Sequence, residues 1–156
     1  MRRATTRIRL ITLLVLLVFL SFPGTAQNAG ELDAVLDSPA LSWGQAARLV
    51  LIAAGREDLP EAEAFAALQN MAKLPGNAAV DRAVKLGGLS LIIMKSFNLN
   101  GGLYRLFPSA HYACRELVYL GIIQGRSDPG MKVPGERFLR ILGRALDYTG
   151  LDREEG

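Results

Sequence analysis

An all-α fold of stacked helix-loop-helix repeats is predicted by three observations. Apolar residues recur at i, i+3, i+4 and i+7 in successive segments of the chain. Turn clusters separate those segments, at Leu74-Pro75-Gly76, Asn98-Leu99-Asn100-Gly101-Gly102 and Asp128-Pro129-Gly130. Residue n set against residue n+49 aligns 62–97 with 111–146 without a gap. Ala64/Ala113, Leu68/Leu117, Gly76/Gly125, Val84/Val133 and Ile92/Ile141 are identical across that offset. They fall on the apolar stripes and at a helix-ending glycine. One helix pair cannot bury its own apolar face, whereas stacked pairs can.

The first 26 residues have the layout of a secretory signal peptide. Arg2, Arg3, Arg7 and Arg9 precede an apolar run over 10–22, and Gly24-Thr25-Ala26 supplies small residues before a cleavage point at Gln27. The run is shorter than the roughly 20 residues a membrane span needs. Contact with a membrane is therefore expected only through this segment, if it is kept uncleaved. The whole chain has 18 basic and 15 acidic residues, and removing four arginines leaves 14 against 15. That balance gives no case for nucleic-acid binding. The address implied is the periplasm or the cell surface.

Residues 27–40 form a lead-in, with Leu32, Val35 and Leu36 as one short amphipathic turn stopped by Ser38-Pro39. The repeat domain spans 41–151, with a partial repeat at 41–55 and fuller ones at 61–98 and 109–149. Ser42 and Gln45 have capping-box spacing ahead of Ala46, Leu49, Val50 and Ala53, and Gly55 ends that helix. Asp58 or Leu59 caps the next, whose buried stripe is Phe65, Leu68 and Ala72. The 86–97 stretch is apolar nearly throughout and reads as a central core helix. Residues 103–107 are expected to be briefly extended. Ser109 caps a helix with Ala113, Cys114, Leu117 and Val118 inward. The last helix begins near Pro134, buries Phe138, Ile141, Leu142 and Ala145, and is expected to close at Gly150 in a left-handed stop.

The phrase Leu120-Gly121-Ile122-Ile123-Gln124-Gly125, the loop residues Asp128, Gly130 and Pro134, and the apolar helix over 138–146 resemble an S-layer homology repeat. The resemblance is good over 112–148, degenerate over 62–97 and partial over 41–55. It implies a non-catalytic module of the cell envelope that grips cell-wall polysaccharide, with three repeats in a pseudo-threefold helical prism. In that family a threonine-arginine-alanine-glutamate phrase opens the second helix and carries much of the recognition. Here those positions read Pro134-Gly135-Glu136-Arg137, Lys85-Leu86-Gly87-Gly88 and Ser42-Trp43-Gly44-Gln45. No family ligand residue transfers onto them.

Candidate ligand residues follow from side-chain chemistry instead. Tyr112, Arg115 and Tyr119 form one helical stripe, suited to sugar rings or a partner's surface. Arg137 and Arg140, with Arg144, form another, suited to an anionic glycan. Glu136 can pair with Arg140 and Asp147 with Arg144, which makes a self-paired solvated face the plainer reading. Trp43 stands where the recognition phrase would begin. It can stack on a ligand or pack on the lead-in.

Catalysis has little to stand on. His111 and Cys114 are i, i+3, yet Cys114 shares its register with the apolar Phe65. One histidine and one cysteine make no metal set, and no cofactor or metal is expected. The partners expected are cell-wall polysaccharide or another envelope protein. A homo-oligomer is also expected if an apolar face stays open at the Ser42 end.

Overall fold

A computed structural model describes residues 24–154, with side chains over 30–150. The signal-peptide reading falls almost entirely outside those residues. Seven helices occur among them: α1 (Gly24–Leu36), α2 (Trp43–Ala53), α3 (Glu61–Met71), α4 (Leu86–Ser96), α5 (Gly102–Leu106), α6 (Ala110–Tyr119) and α7 (Gly135–Glu154). Among the described residues there is no strand, only isolated bridges at Ser42–Ala83 and Lys85–Lys132. The all-α class is thus as the sequence predicts. The chain divides into one compact unit up to Ala34 and a second from Val35 onward. Among the described residues no helix is long and apolar enough to cross a membrane.

The second unit is organised around α4. Every residue from Leu86 to Met94 is buried. The single polar side chain between Leu86 and Met94, that of Ser90, donates its hydroxyl to the Leu86 carbonyl at 2.7 Å. α6 and α2 pack on α4, and α3 packs on α2. The stripes read from the sequence are the buried ones: Phe65 and Leu68 of α3, Ala113, Cys114 and Leu117 of α6, and Phe138, Ile141 and Ala145 of α7.

Three short segments lead into α2, α4 and α7, and their backbones meet. Leu41, Val84 and Val133 are all fully buried. The Leu41 N–H donates to the Val133 carbonyl at 3.0 Å, and the Val84 N–H donates to the Leu41 carbonyl at 2.8 Å. The first amides of each following helix are then taken up in rotation. Those of Trp43 and Gly44 donate to Arg82 and Val80, those of Leu86 and Gly87 to Met131 and Pro129, and that of Gly135 to Ser38. Helix N-termini leave such amides without intrahelical partners. Here the chain's own loops satisfy them: the 80–82 segment serves α2, the 129–131 segment serves α4, and Ser38 serves α7.

Ser42 adds the expected capping box on α2: its hydroxyl accepts from the Gln45 N–H, and the Gln45 side chain accepts from the Ser42 N–H, both at 3.1 Å. Ser109 accepts from the Tyr112 N–H and so starts α6. Gly121, just past the end of α6, and Gly125, in the loop beyond it, have φ of +73° and +75°, left-handed geometry that glycine adopts without strain.

Several expectations are corrected. The lead-in is a 13-residue helix rather than one turn. Residues 102–106 are helical, not extended, because the Gly101-Gly102 turn is followed by three good helix formers. Pro60 rather than Asp58 or Leu59 occupies the N-cap of α3, since Asp58 is drawn into an ion pair with Arg48 at 2.6 Å. Gly76 does not adopt the left-handed geometry of Gly125; α3 ends earlier, at an extended Ala72. Val118 faces out. The last helix continues through Gly150 to Glu154, with the Thr149 hydroxyl bonded back to the Ala145 carbonyl and no reversal at the glycine.

Candidate functional site

The α6 stripe of Tyr112, Arg115 and Tyr119 shares its groove with a fourth residue, Glu116. Tyr112, Arg115, Glu116 and Tyr119 stand at i, i+3, i+4 and i+7 and line one groove of about 390 Å³. Gly102 and Leu103 of α5 form its opposite wall. Tyr112 is held by neighbours: the Phe107 ring lies 5.9 Å away in a tilted stack, and the His111 ring meets it edge-on at 5.3 Å. Tyr119 is 84% exposed, so its ring is free to meet a ligand.

Glu116 is the residue sequence reasoning misses. It is only 8% exposed. Its carboxylate lies directly against Gly101 and Gly102, where the carbon of any larger side chain would collide with its oxygens. The two glycines that read as a loop signal are also the space this carboxylate occupies. Among the described residues it has no hydrogen-bond or ion-pair partner, and Arg115 beside it makes none with it. The available signal was its position, one helical turn after Tyr112 on the same stripe. Acidic side chains are rarely buried without a partner, which marks the site.

The arginine stripe behaves differently. Gln124, Gly125, Arg126, Arg137, Arg140, Ile141 and Arg144 line a second groove of about 470 Å³. Arg137 donates to the Gln124 carbonyl at 3.4 Å and, more closely, to that of Arg126. Its other terminal nitrogen lies 3.1 Å from the Met131 sulfur. Arg140 pairs with Glu136 as expected. The expected Arg144–Asp147 pair is replaced by a bond from Arg144 to the Ile122 carbonyl at 3.5 Å. Arg137 and Arg144 therefore fasten the loop that follows α6, whose carbonyls lack helical partners. This groove is occupied by the protein's own interactions.

Trp43 joins neither groove. It is 4% exposed, meets Phe65 edge-on at 6.2 Å, and lies so tightly on Gly88 that a methyl group there would come within 2.5 Å of the indole. Of the two roles expected of it, packing is the one its burial allows, here on Phe65 and Gly88, and the ligand-stacking alternative is corrected. Exposed apolar side chains remain at the Ser42 end, at Leu36 and on α2 at Ile52, and a second set lies elsewhere: Leu103, Leu106 and Phe107 on and just after α5, with Val118 on α6.

His111 and Cys114 do not form a dyad. His111 is exposed against Tyr112, while Cys114 is buried with its thiol 3.6 Å from the Ser127 carbonyl. Burial pushes the thiol's pKa up, against thiolate formation. Among the described residues no three His, Cys, Asp or Glu side chains gather as metal ligands. A larger cavity, about 530 Å³, lies at the C-terminal ends of α2 and α4 beside Leu146 and Thr149. It contains none of the residues picked from the sequence.

Fold and groove together define an all-α protein with one aromatic-lined, acid-backed groove on its surface. Comparison of the chain with protein-family models, with curated proteins and with solved structures finds no match.

Proposed function

We propose that this chain is an exported, non-catalytic module of the cell envelope, resembling S-layer homology modules, and that it binds envelope glycan in the α6 groove. The observation that carries the reading is the convergence of Tyr112, Arg115, Glu116 and Tyr119 in one groove, a set of aromatic faces, donor and acceptor suited to a sugar ring. The rotation of backbone bonds among the segments at Leu41, Val84 and Val133 supports the family resemblance, because three equivalent units would close in that manner. The reading does not use the N-termini of α2, α4 and α7 as glycan sites, since their first amides are engaged in that rotation. Co-sedimentation with purified envelope sacculi at low salt tests the reading. Recovery in the pellet is expected, and recovery in the supernatant sinks it.

A second reading is favoured by one observation. Leu106 and Phe107 are 69% and 60% exposed and adjoin the groove. Exposed apolar clusters often mark protein contacts. The chain would then be a periplasmic adaptor or would pair with its own copy. Light scattering decides: a strictly monomeric protein over a wide concentration range removes the self-pairing form of this reading.

A further inference from the structure

We propose that the α6 groove seats a protonated amine, held by the Glu116 carboxylate and flanked by the faces of Tyr112 and Tyr119. This deepens the glycan reading and rests on it: the envelope ligand is one that carries a free amino group. Glu116 is more than nine-tenths buried, lines the groove, and has no partner among the described residues. Its oxygens open onto the groove rather than being sealed inside the protein, so a ligand that fills the groove takes this carboxylate out of water, which is costly unless the ligand supplies both charge and hydrogen bonds. A neutral hydroxyl supplies the hydrogen bond and leaves the charge. An ammonium supplies both, in a charge-assisted contact. The tyrosine rings add the second element, because a cation gains energy over or beside an aromatic face.

Arg115 does not fill this role itself. It stands one residue before Glu116, so it points about 100° away around the helix, and it makes no ion pair with the carboxylate. It is placed to donate to ligand hydroxyls at the groove's mouth. Gly101 and Gly102 complete the seat by leaving room for the carboxylate against their backbone. The amine has two sources in an envelope polymer, an amino sugar lacking its acetyl group or a free amine on a peptide cross-bridge. The shared chemistry is the ammonium group.

The test uses the full-length chain and calorimetric titration at about pH 6, above the ordinary carboxylate range and below that of amines. The probes are a glucosamine oligosaccharide, its N-acetylated counterpart, lysine amide and Nε-acetyl-lysine amide. A free-amine probe should bind at least about tenfold more tightly than its acetylated partner, the scale of one charged hydrogen bond. Preference confined to the sugar pair names an amino sugar as the source; preference confined to the lysine pair names a peptide. Glu116→Gln should abolish the preference, while Glu136→Gln, at an exposed pair outside the groove, should keep it. Should Glu116→Gln fold poorly, Tyr119→Ala at its exposed position should weaken the amine probe about threefold. Equal binding of free and acetylated probes, no binding of either, or a preference that survives Glu116→Gln overturns the proposal. Sacculi that still sediment the protein in that case leave the envelope reading intact. A bound amine probe with no sedimentation does the opposite.

Discussion

Gly135→Ala should destabilise the protein although alanine is the better helix former. Gly135 opens α7, and the Val35 backbone carbonyl lies where an alanine methyl would stand. That neighbour is main chain, so it cannot swing away as a side chain does. Accommodating the methyl means moving the lead-in. The 2.9 Å bond from the Gly135 N–H to the Ser38 carbonyl is then lost, a net of about 1 kcal/mol. Val35, buried in the native fold, is partly re-exposed, with up to about 1.5–3 kcal/mol at stake for full exposure. The helix-propensity gain is below about 1 kcal/mol and smaller still in a first turn. The net is about 1.5–3 kcal/mol of destabilisation, or a Tm lower by about 5–10 °C at this chain length. Gly143→Ala is the control. It sits inside the same helix with nothing within 4 Å of its added carbon, and should stabilise by about 0.5–1 kcal/mol. Thermal melts followed by far-UV circular dichroism compare the two. A Gly135→Ala protein that melts at or above the parent refutes the packing of Val35–Ser38 across α7.

Three further outcomes are expected. Tyr104→Phe should raise stability by about 1 kcal/mol in chemical denaturation, because the Tyr104 hydroxyl is buried with no partner. Burial raises the Tyr104 pKa above its ordinary 10.0, so the parent's tyrosine-linked stability is full below that value and lost as pH rises through the higher folded value; the phenylalanine variant should show a smaller alkaline loss. Asp58→Asn should flatten the acid limb of the stability profile slightly. The Arg48 hydrogen bonds hold the Asp58 carboxyl below its ordinary 3.8, so its contribution is present above that value and lost as pH falls through the lower folded one. The effect is small because the pair is solvent-screened. Cys114 should react with a disulfide reagent only at the rate of opening, and prompt labelling of the native protein would contradict its burial and raised pKa.

What was legible in the sequence is what helical spacing encodes directly. Phe138, Ile141 and Ala145 share a face because 3.6 residues make a turn, and no tertiary knowledge is needed to see it. The capping box at Ser42 and Gln45 is equally local. Residues whose role is set by a distant neighbour are not legible in this way. Gly101 and Gly102 read as a simple break, yet Gly101 caps and Gly102 begins a short helix, and both leave room for Glu116. Gly150 looked like a stop, and the helix runs through it. Trp43 looked available at a helix start, and its place was set by Gly88, 45 residues on. Tyr112, Arg115 and Tyr119 are legible because they recur at helical spacing. Glu116 was passed over because a lone acid in a helix is normally solvated, and its burial depends on the α5 wall. Arg137 and Arg144 looked free because the carbonyls they bind belong to a loop whose path the sequence does not print.

Co-sedimentation of the parent and Tyr119→Ala with envelope sacculi addresses the central claim most directly. Tyr119 is 84% exposed, so its loss leaves the fold alone and changes only what the α6 groove offers. The parent should pellet, and Tyr119→Ala should shift several-fold toward the supernatant with an unchanged melting temperature. Equal pelleting of both proteins would place the binding elsewhere, and a parent that never pellets would end the envelope account.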